Sequence, residues 1–244
     1  MTVLSVNVNK IALLRNSRGR DYPSVTGFVR NCLELGVKGI TVHPRPDERH
    51  IRRQDVFDIA DLLKGREGVE FNIEGYPTEE FLDLVLAVRP AQCTLVPDDP
   101  GQLTSDHGWD IAANRNLLTQ VNGRLREAGV RSSLFLDPQA ECVAQVPAVN
   151  ADRIELYTEE YAECFGTDRQ SDIWERYRQA AQKAVELGLG VNAGHDLNLE
   201  NLADFLRIPG ILEVSIGHAL VVEALHLGVE TVIQRYLEII SNAS

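Results

Sequence analysis

Apolar residues along this chain fall into two alternating patterns. One is a short run rich in Val, Ile and Leu, found at residues 4–9, 39–43, 69–74, 92–96, 132–137, 153–157, 189–193 and 212–216. Runs of that length and content predict strands covered on both faces, as in parallel sheets. The other pattern is helical. Val25, Phe28, Val29 and Cys32 follow the i, i+3, i+4, i+7 spacing of one helix face, and Phe81, Leu82, Val85 and Leu86 do the same. A last helix carries Val221, Val222, Leu225, Val229, Val232 and Ile233, and longer helical stretches cover about 110–128 and 167–187. Leu35-Gly36, Ala128-Gly129 and Leu187-Gly188 each place glycine where a helix stops before the next strand, which suits the left-handed residue after a helix.

Eight strand–helix units in 244 residues predict one (β/α)8 barrel occupying residues 1–244 as a single domain. The competing architecture is a doubly wound open sheet. A dinucleotide-binding version of it calls for Gly-x-Gly-x-x-Gly after the first strand, where this chain has Val6-Asn7-Val8-Asn9-Lys10.

Charge changes the picture in one respect. The chain has 24 Lys+Arg against 36 Asp+Glu, a formal net charge of −12, which argues against a sequence-independent grip on nucleic acid. No apolar run approaches the ~20 residues that span a bilayer, and no basic segment followed by an apolar one opens the chain, so neither membrane nor export is expected. Cys32, Cys93, Cys142 and Cys164 are scattered and form no Cys-x-x-Cys, consistent with reduced cytoplasmic thiols. Yet residues 1–53 hold ten Lys/Arg and four Asp/Glu, a balance of +6, which leaves −18 for the rest. If the loops after strands 1 and 2 face a pocket, an acidic protein still presents a basic site.

In such a barrel the chemistry sits at the C-terminal ends of the strands. Those ends are polar here: Asn7 and Asn9-Lys10 at strand 1, His43 at strand 2, Glu74 at strand 3, Glu155 and Tyr157 on strand 6, His195 at strand 7 and Gly217-His218 at strand 8. A lone histidine there is commonly structural. Several from separate strands, with a glutamate from another, point to acid–base chemistry. Glu74 ends an apolar run, so burial raises its carboxyl toward the range of a useful general base; pairing with an arginine is the alternative. His107 and His226 read as surface residues.

Three features suggest anion binding. Asn192-Ala193-Gly194-His195 and Ser215-Ile216-Gly217-His218 are near-twin strand ends on strands 7 and 8, the usual place of a phosphate cradle; tight βα turns are the plain alternative. Arg45, Arg49, His50, Arg52 and Arg53 cluster after strand 2, and Arg15 and Arg18 with Gly19 follow strand 1. No His-x-His or His-Glu-x-x-His spacing concentrates metal ligands, so no metal is expected, although imidazoles and carboxylates on neighbouring strand ends could assemble one.

The segments Ile11-Ala12-x-Leu14-Arg15-Asn16-x-Arg18-Gly19, Gly39-Ile40-Thr41-Val42-His43-x-Arg45, Arg49-His50-Ile51, Asn192-Ala193-Gly194-His195 and Ile216-Gly217-His218-Ala219, in that order, resemble the pyridoxine 5′-phosphate synthase family nearly end to end. The resemblance implies a (β/α)8 TIM barrel with additional helices, a cytoplasmic homo-octamer and no cofactor. It implies condensation of 1-deoxy-D-xylulose 5-phosphate with 3-amino-2-oxopropyl phosphate to pyridoxine 5′-phosphate, phosphate and water. By matched position it makes His43 and Glu74 proton acceptors and His195 the proton donor. Arg45, His50, Thr104 and the Asn9-Lys10 pair would bind the deoxyxylulose phosphate. Asn7, Arg18, Asp196, Gly217 and His218 would hold the other substrate, and Glu155 lines the site. Three positions depart from the commoner family pattern: Asn9-Lys10 stands for Asp-His, Asp196 for a frequent glycine, and Tyr157 for a frequent histidine. Lys10 can still hold an anion, whereas Asp196 adds negative charge near a phosphate. The competing readings are a metal-dependent sugar-phosphate isomerase or epimerase on the same barrel, and a non-catalytic barrel that binds a phosphorylated metabolite.

Overall fold

The computed structural model describes residues 2–98 and 105–243 of the chain. Strands β1 (Val3–Asn7), β2 (Gly39–Val42), β3 (Glu70–Gly75), β4 (Gln92–Leu95), β5 (Arg131–Leu136), β6 (Arg153–Tyr157), β7 (Gly190–Gly194) and β8 (Ile211–Ile216) form a closed barrel in sequence order. Each neighbouring pair is parallel, and β8 closes on β1 with Val6 opposite Ile216. The open-sheet alternative is therefore excluded.

Helices fill the return connections. The first are α1 (Asn9–Asn16), α2 (Val25–Glu34), α3 (Arg53–Leu63), α4 (Glu79–Val88) and α5 (Arg115–Glu127). Then come α6 (Ala140–Val143), a 3-10 turn (Val146–Val149), α7 (Glu159–Cys164), α8 (Gln170–Glu186), α9 (Leu202–Phe205), α10 (His218–Leu227) and α11 (Val229–Asn242). Local chemistry sets their ends. Ser24 accepts the backbone N–H of Gly27 at 3.3 Å, and Thr78 accepts that of Phe81 at 3.2 Å with Glu79 and Glu80 in the first turn. Gly36, Gly129 and Gly188 all take positive φ, as the glycine reading requires.

The strands are not apolar on both sides. Their outward residues, such as Leu4, Val6, Ile40, Val42, Ile73, Leu95, Leu134, Ile154 and Val214, pack into one core with the helices. The helices meet them with one apolar face each, as Ile173, Tyr177, Ala180, Ala181 and Ala184 do on α8. The inward residues are mostly polar. Hydrogen bonds run across the barrel between strands that are not neighbours: Thr94 on β4 to Glu155 on β6 at 3.3 Å, and Gln92 on β4 to Glu213 on β8 at 3.4 Å. Ser5, Thr41, Asn72 and Thr94 continue this network around the interior, with spacings of 2.7, 3.4 and 3.1 Å. The polar half of each alternation is what positions the site above it.

Several expectations need correction. Asn9 and Lys10 do not extend β1; they open α1, because the Asn7 side chain accepts the Asn9 backbone N–H at 3.0 Å and turns the chain. The last helix is two, broken at Gly228 with φ +81°. Val232, Ile233, Tyr236 and Ile240 of α11 pack on the barrel, whereas Val222, Leu225 and Leu227 of α10 point outward. The stretches 110–128 and 167–187 begin their helices at Arg115 and Gln170. Between β6 and β7, the segment 159–172 is mostly helix, anchored by fully buried Tyr161. In 97–109, residues 99–104 lie outside the described residues, and the segment that follows is pinned. Trp109 donates to the Leu95 carbonyl at 2.8 Å, and Gly108 lies so close to β5 that an added Cβ would meet the Asp137 nitrogen at 2.3 Å.

Arg15 is the clearest correction to the anion reading. It is buried in a bidentate pair with Asp55, at 2.5 and 2.8 Å, and also donates to the His50 carbonyl at 3.2 Å. It ties α1 to α3 and to the loop after β2. Removing the cation would leave Asp55 buried without its partner. Arg15→Ala is expected to cost about 3–5 kcal/mol of unfolding free energy, read as a fall in the urea midpoint. A midpoint equal to that of the unaltered protein would show that the pair contributes nothing.

Candidate active site

The C-terminal ends of the strands open into a cavity of about 550 Å³. Asn7, Asn9, Lys10, His43, Arg45, His50, Glu74, Glu155, His195, Asp196, Gly217 and His218 line it, so twelve sequence-derived candidates share one space. Arg18 is exposed beyond α1 and does not line it. Thr104 lies outside the described residues. His107 and His226 are on the surface, as read from sequence.

Two asparagines brace the floor. Asn7 donates to Glu74 Oε2 at 3.4 Å, and the Asn9 side chain accepts the backbone N–H of His43 at 2.9 Å. His43 Nδ1 lies 4.0 Å from Glu74 Oε2. Burial, then Arg45, His50 and Arg49, push His43 well below the usual imidazole value. Burial, then Glu155, Asp98 and Glu213, push Glu74 well above the usual carboxyl value. His50, with its ring 6.3 Å from that of His43, is lowered to about 4 by burial and by Arg45, Arg49 and Lys10.

Glu155 sits beneath this floor. Burial and the Glu213 charge raise it to about 8. Thr94 lies within reach of both Asn72 and Glu155 but has one hydroxyl hydrogen to give; a protonated Glu155 resolves this by donating to Thr94. Gly194 makes room for the carboxyl, since an added Cβ would lie 2.5 Å from Glu155 Oε1.

Cationic groups come from the loops after β1 and β2. Arg45 is buried against Asp98 at 2.5 Å, and Ser105 donates to the same Asp98 oxygen at 2.7 Å. Arg49 pairs with Asp47 at 2.8 Å, and Lys10 stands exposed on the rim. Only these three of the ten Lys/Arg in residues 1–53 line the cavity. The basic bias of the N-terminal quarter therefore overstates the basic charge of the pocket; Arg52 and Arg53 are exposed at the start of α3.

The twin loops after β7 and β8 differ. Gly217 leads straight into α10, whose first turn lines the cavity with His218 and Ala219, an arrangement suited to an anion. Gly217 also approaches Asn7 closely, with an added Cβ 3.1 Å from the Asn7 carbonyl oxygen. After β7 the left-handed positions fall on His195 (φ +90°) and Asp196 (φ +58°), and no long helix follows.

Sequence reasoning named Arg49 and Ser215 only as members of anion-binding clusters, and gave no site role to Ser105, Glu159 or the apolar wall of Val96 and Phe135. Strand alternation is the signal for two of these: Phe135 and Ser215 share inward parity with Ser133 and Glu213. Glu159 accepts a hydrogen bond from the Tyr157 hydroxyl, and Tyr157 packs edge-on against His195 with centroids 5.0 Å apart. Glu159, His195 and Asp196 each offer a donor atom within 4.8 Å of the others.

The profile of the family described as pyridoxal phosphate biosynthesis protein PdxJ matches residues 4–242. A Bacteroides fragilis protein named pyridoxine 5′-phosphate synthase is 53% identical over 237 residues, covering 97% of this chain and 98% of its own. A protein of the same name from Christiangramia forsetii is 49% identical over 241 residues, covering 98% and 100%. Among solved structures, phosphoribosyl anthranilate isomerase from Thermotoga maritima aligns with a TM-score of 0.62 at 13% identity, covering 99% of this chain and 100% of its own, a likeness of fold alone.

The carboxyls inside the barrel make a testable pH signature. Glu213 is raised to about 7, by burial first. Its proton is held more tightly in the folded chain than in the unfolded one, where the value is 4.5. Its contribution is therefore complete below about 4.5 and is lost as pH rises through about 7. Glu213→Gln is expected to be more stable than the parent at pH 8 by up to about 3 kcal/mol, with the difference vanishing near pH 4. Parallel urea titrations at the two pH values check this; an equal difference at both would reject it.

Proposed function

The chain belongs to the family of the pyridoxal phosphate biosynthesis protein PdxJ and is an enzyme of vitamin B6 biosynthesis; from that premise we propose that it condenses 1-deoxy-D-xylulose 5-phosphate with 3-amino-2-oxopropyl phosphate and closes the ring of pyridoxine 5′-phosphate, releasing phosphate and water. The observation that carries this reading is the convergence of His43, Glu74 and His195, from three separate strand ends, on one cavity with cationic and helix-terminal groups at its edge.

The chemistry asks for such a set. The amine must attack a ketone, and protons must move as the carbinolamine loses water to an imine. Phosphate must leave, and ring closure needs a carbanion-like carbon beside an imine or carbonyl. His43 is neutral and accepts protons. Glu74, whose carboxyl is raised by burial, gives a proton to an oxygen that must leave and accepts one at a later step. His195 supplies a proton from the other side. Lys10, Arg45 and His50 receive the deoxyxylulose phosphate, and Gly217 and His218 at the start of α10 receive the second phosphate. Holding both substrates in one cavity turns a bimolecular encounter into an oriented reaction.

Two further readings go with this one. The enzyme is cytoplasmic, and no helix among the described residues is long and apolar enough to cross a membrane. It is a homo-octamer; α1 packs beside α10, and Leu13, Leu14, Val222 and Leu225 form exposed apolar surface on these two helices, which supports association. Light scattering is expected to give eight times the 27.1 kDa chain mass. The alternative of a metal-dependent sugar-phosphate isomerase rests on the Glu159, His195 and Asp196 group.

The deciding experiment mixes the purified protein with both substrates and follows pyridoxine 5′-phosphate and phosphate. Product formation undiminished by EDTA is expected. Absence of product would refute the reading, and chelator-sensitive isomerisation of a sugar phosphate would establish the alternative. Glu74→Gln and His195→Asn are each expected to cut turnover at least ~100-fold, the scale of lost acid–base catalysis. Near-normal turnover in either removes that residue from the scheme.

A further inference from the structure

Asp196 stands out at a site for two phosphorylated substrates. A carboxylate near a phosphate opposes binding, and its backbone takes a left-handed conformation (φ +58°) that glycine would adopt without strain. Something must offset both costs. The side chain is engaged elsewhere: Asp196 Oδ2 lies 2.8 Å from His195 Nδ1. That bond to His195 holds the Asp196 carboxyl below the usual carboxylate range, and the charges of His195, His218 and Lys10 add to it.

His195 is restrained on its other sides too. The Thr158 hydroxyl lies within hydrogen-bond reach of the carbonyl oxygens of Gly194, at 2.7 Å, and His195, at 2.5 Å, which fixes the backbone that carries the ring. Tyr157 packs against the ring and is itself held through its hydroxyl by Glu159. Tyr177 donates to the Tyr157 carbonyl at 2.6 Å, so this support runs down into the buried face of α8.

We propose that Asp196 is a positioning residue, which takes the His195 Nδ1–H in hydrogen bond and thereby fixes the ring so that Nε2 is the nitrogen that exchanges protons with substrate. A neutral imidazole carries one hydrogen, and the partner of one nitrogen decides the role of the other. With Asp196 on Nδ1, Nε2 accepts in the neutral ring and donates in the cationic one, and both events take place at one point in space. The phosphate contact that family resemblance implies for this position is replaced by a contact to the proton donor. The inference rests on the role proposed for His195.

The test separates the two. Nitrogen-15 spectra of His195 report which ring nitrogen carries the hydrogen, without turnover. The unaltered protein is expected to show the Nδ1–H form in its neutral ring. In Asp196→Asn the amide can donate to Nδ1, so the Nε2–H form is expected. Asp196→Gly, which relieves the left-handed backbone and so folds well, is expected to lose the Nδ1–H preference too. An Nε2–H ring in the unaltered protein, or no change in either variant, overturns the proposal. In kinetics, both variants are expected to lose kcat roughly 10- to 100-fold with KM changed less than ~3-fold, on the scale of a misdirected orienting carboxylate. A raised KM with kcat intact would make Asp196 a substrate ligand, and a lowered KM with kcat intact would make it only a repulsive bystander; either overturns it. If the unaltered protein makes no product, the proposed reaction falls while the spectra still decide the ring geometry.

Discussion

Carboxyls buried inside a closed sheet are the constraint on which the rest of this molecule depends. Glu74, Glu155 and Glu213 lie on separate strands of the barrel, and each is raised above the usual carboxyl range, by burial first. An isolated ionised carboxylate there would cost far more than folding could offset. The interior answers with short polar side chains in place of the apolar layers more usual in such barrels. Thr94 meets Glu155, and Asn192 and Gln92 meet Glu213. At the bottom, Arg131 bonds to Gln92 at 3.1 Å and Arg153 to Asn192 at 3.0 Å, so the network ends on cations. Register joins the layers, since Glu155 pairs with Asn192 and Asn192 with Glu213.

That interior explains the character of the site above it. A floor of carboxyls raised by burial carries less negative charge toward incoming anions than exposed carboxylates would. His43 and His50 are kept neutral by the same burial together with the arginines after β2. The cavity therefore contains groups able to move protons in both directions near neutral pH, without a strong field of either sign at its base. Positive charge is placed at the margin: Lys10 on the rim, Arg45 and Arg49 tied to aspartates, and the partial charge of the first turn of α10.

Charge balance along the chain is a poor guide to that arrangement. Arg15 and Arg45 sit in one basic stretch, yet Arg15 is spent on Asp55 and joins two helices, whereas Arg45 reaches the cavity. Sequence spacing cannot distinguish them, because the distinction lies in a partner 40 residues away in one case and 53 in the other.

The sequence by itself determined the eight strand–helix units, the barrel they close into, and the polar strand ends that converge, since strand and helix periods and glycine stops are local properties. His43, Glu74, His195 and Gly217 were legible because a residue ending a strand of such a barrel faces the same mouth wherever it occurs in the chain. What the sequence left open depended on contacts between distant segments. Gly228 splits the last helix although the apolar spacing runs through it, because the two halves bury different faces. Asn9 and Lys10 start a helix where strand was expected, since the Asn7 side chain turns the backbone. The acidity of the interior and the pairing of Asp196 with His195 were decided only in three dimensions, because burial and hydrogen-bond partners belong to the folded surroundings of a residue and not to its neighbours in sequence.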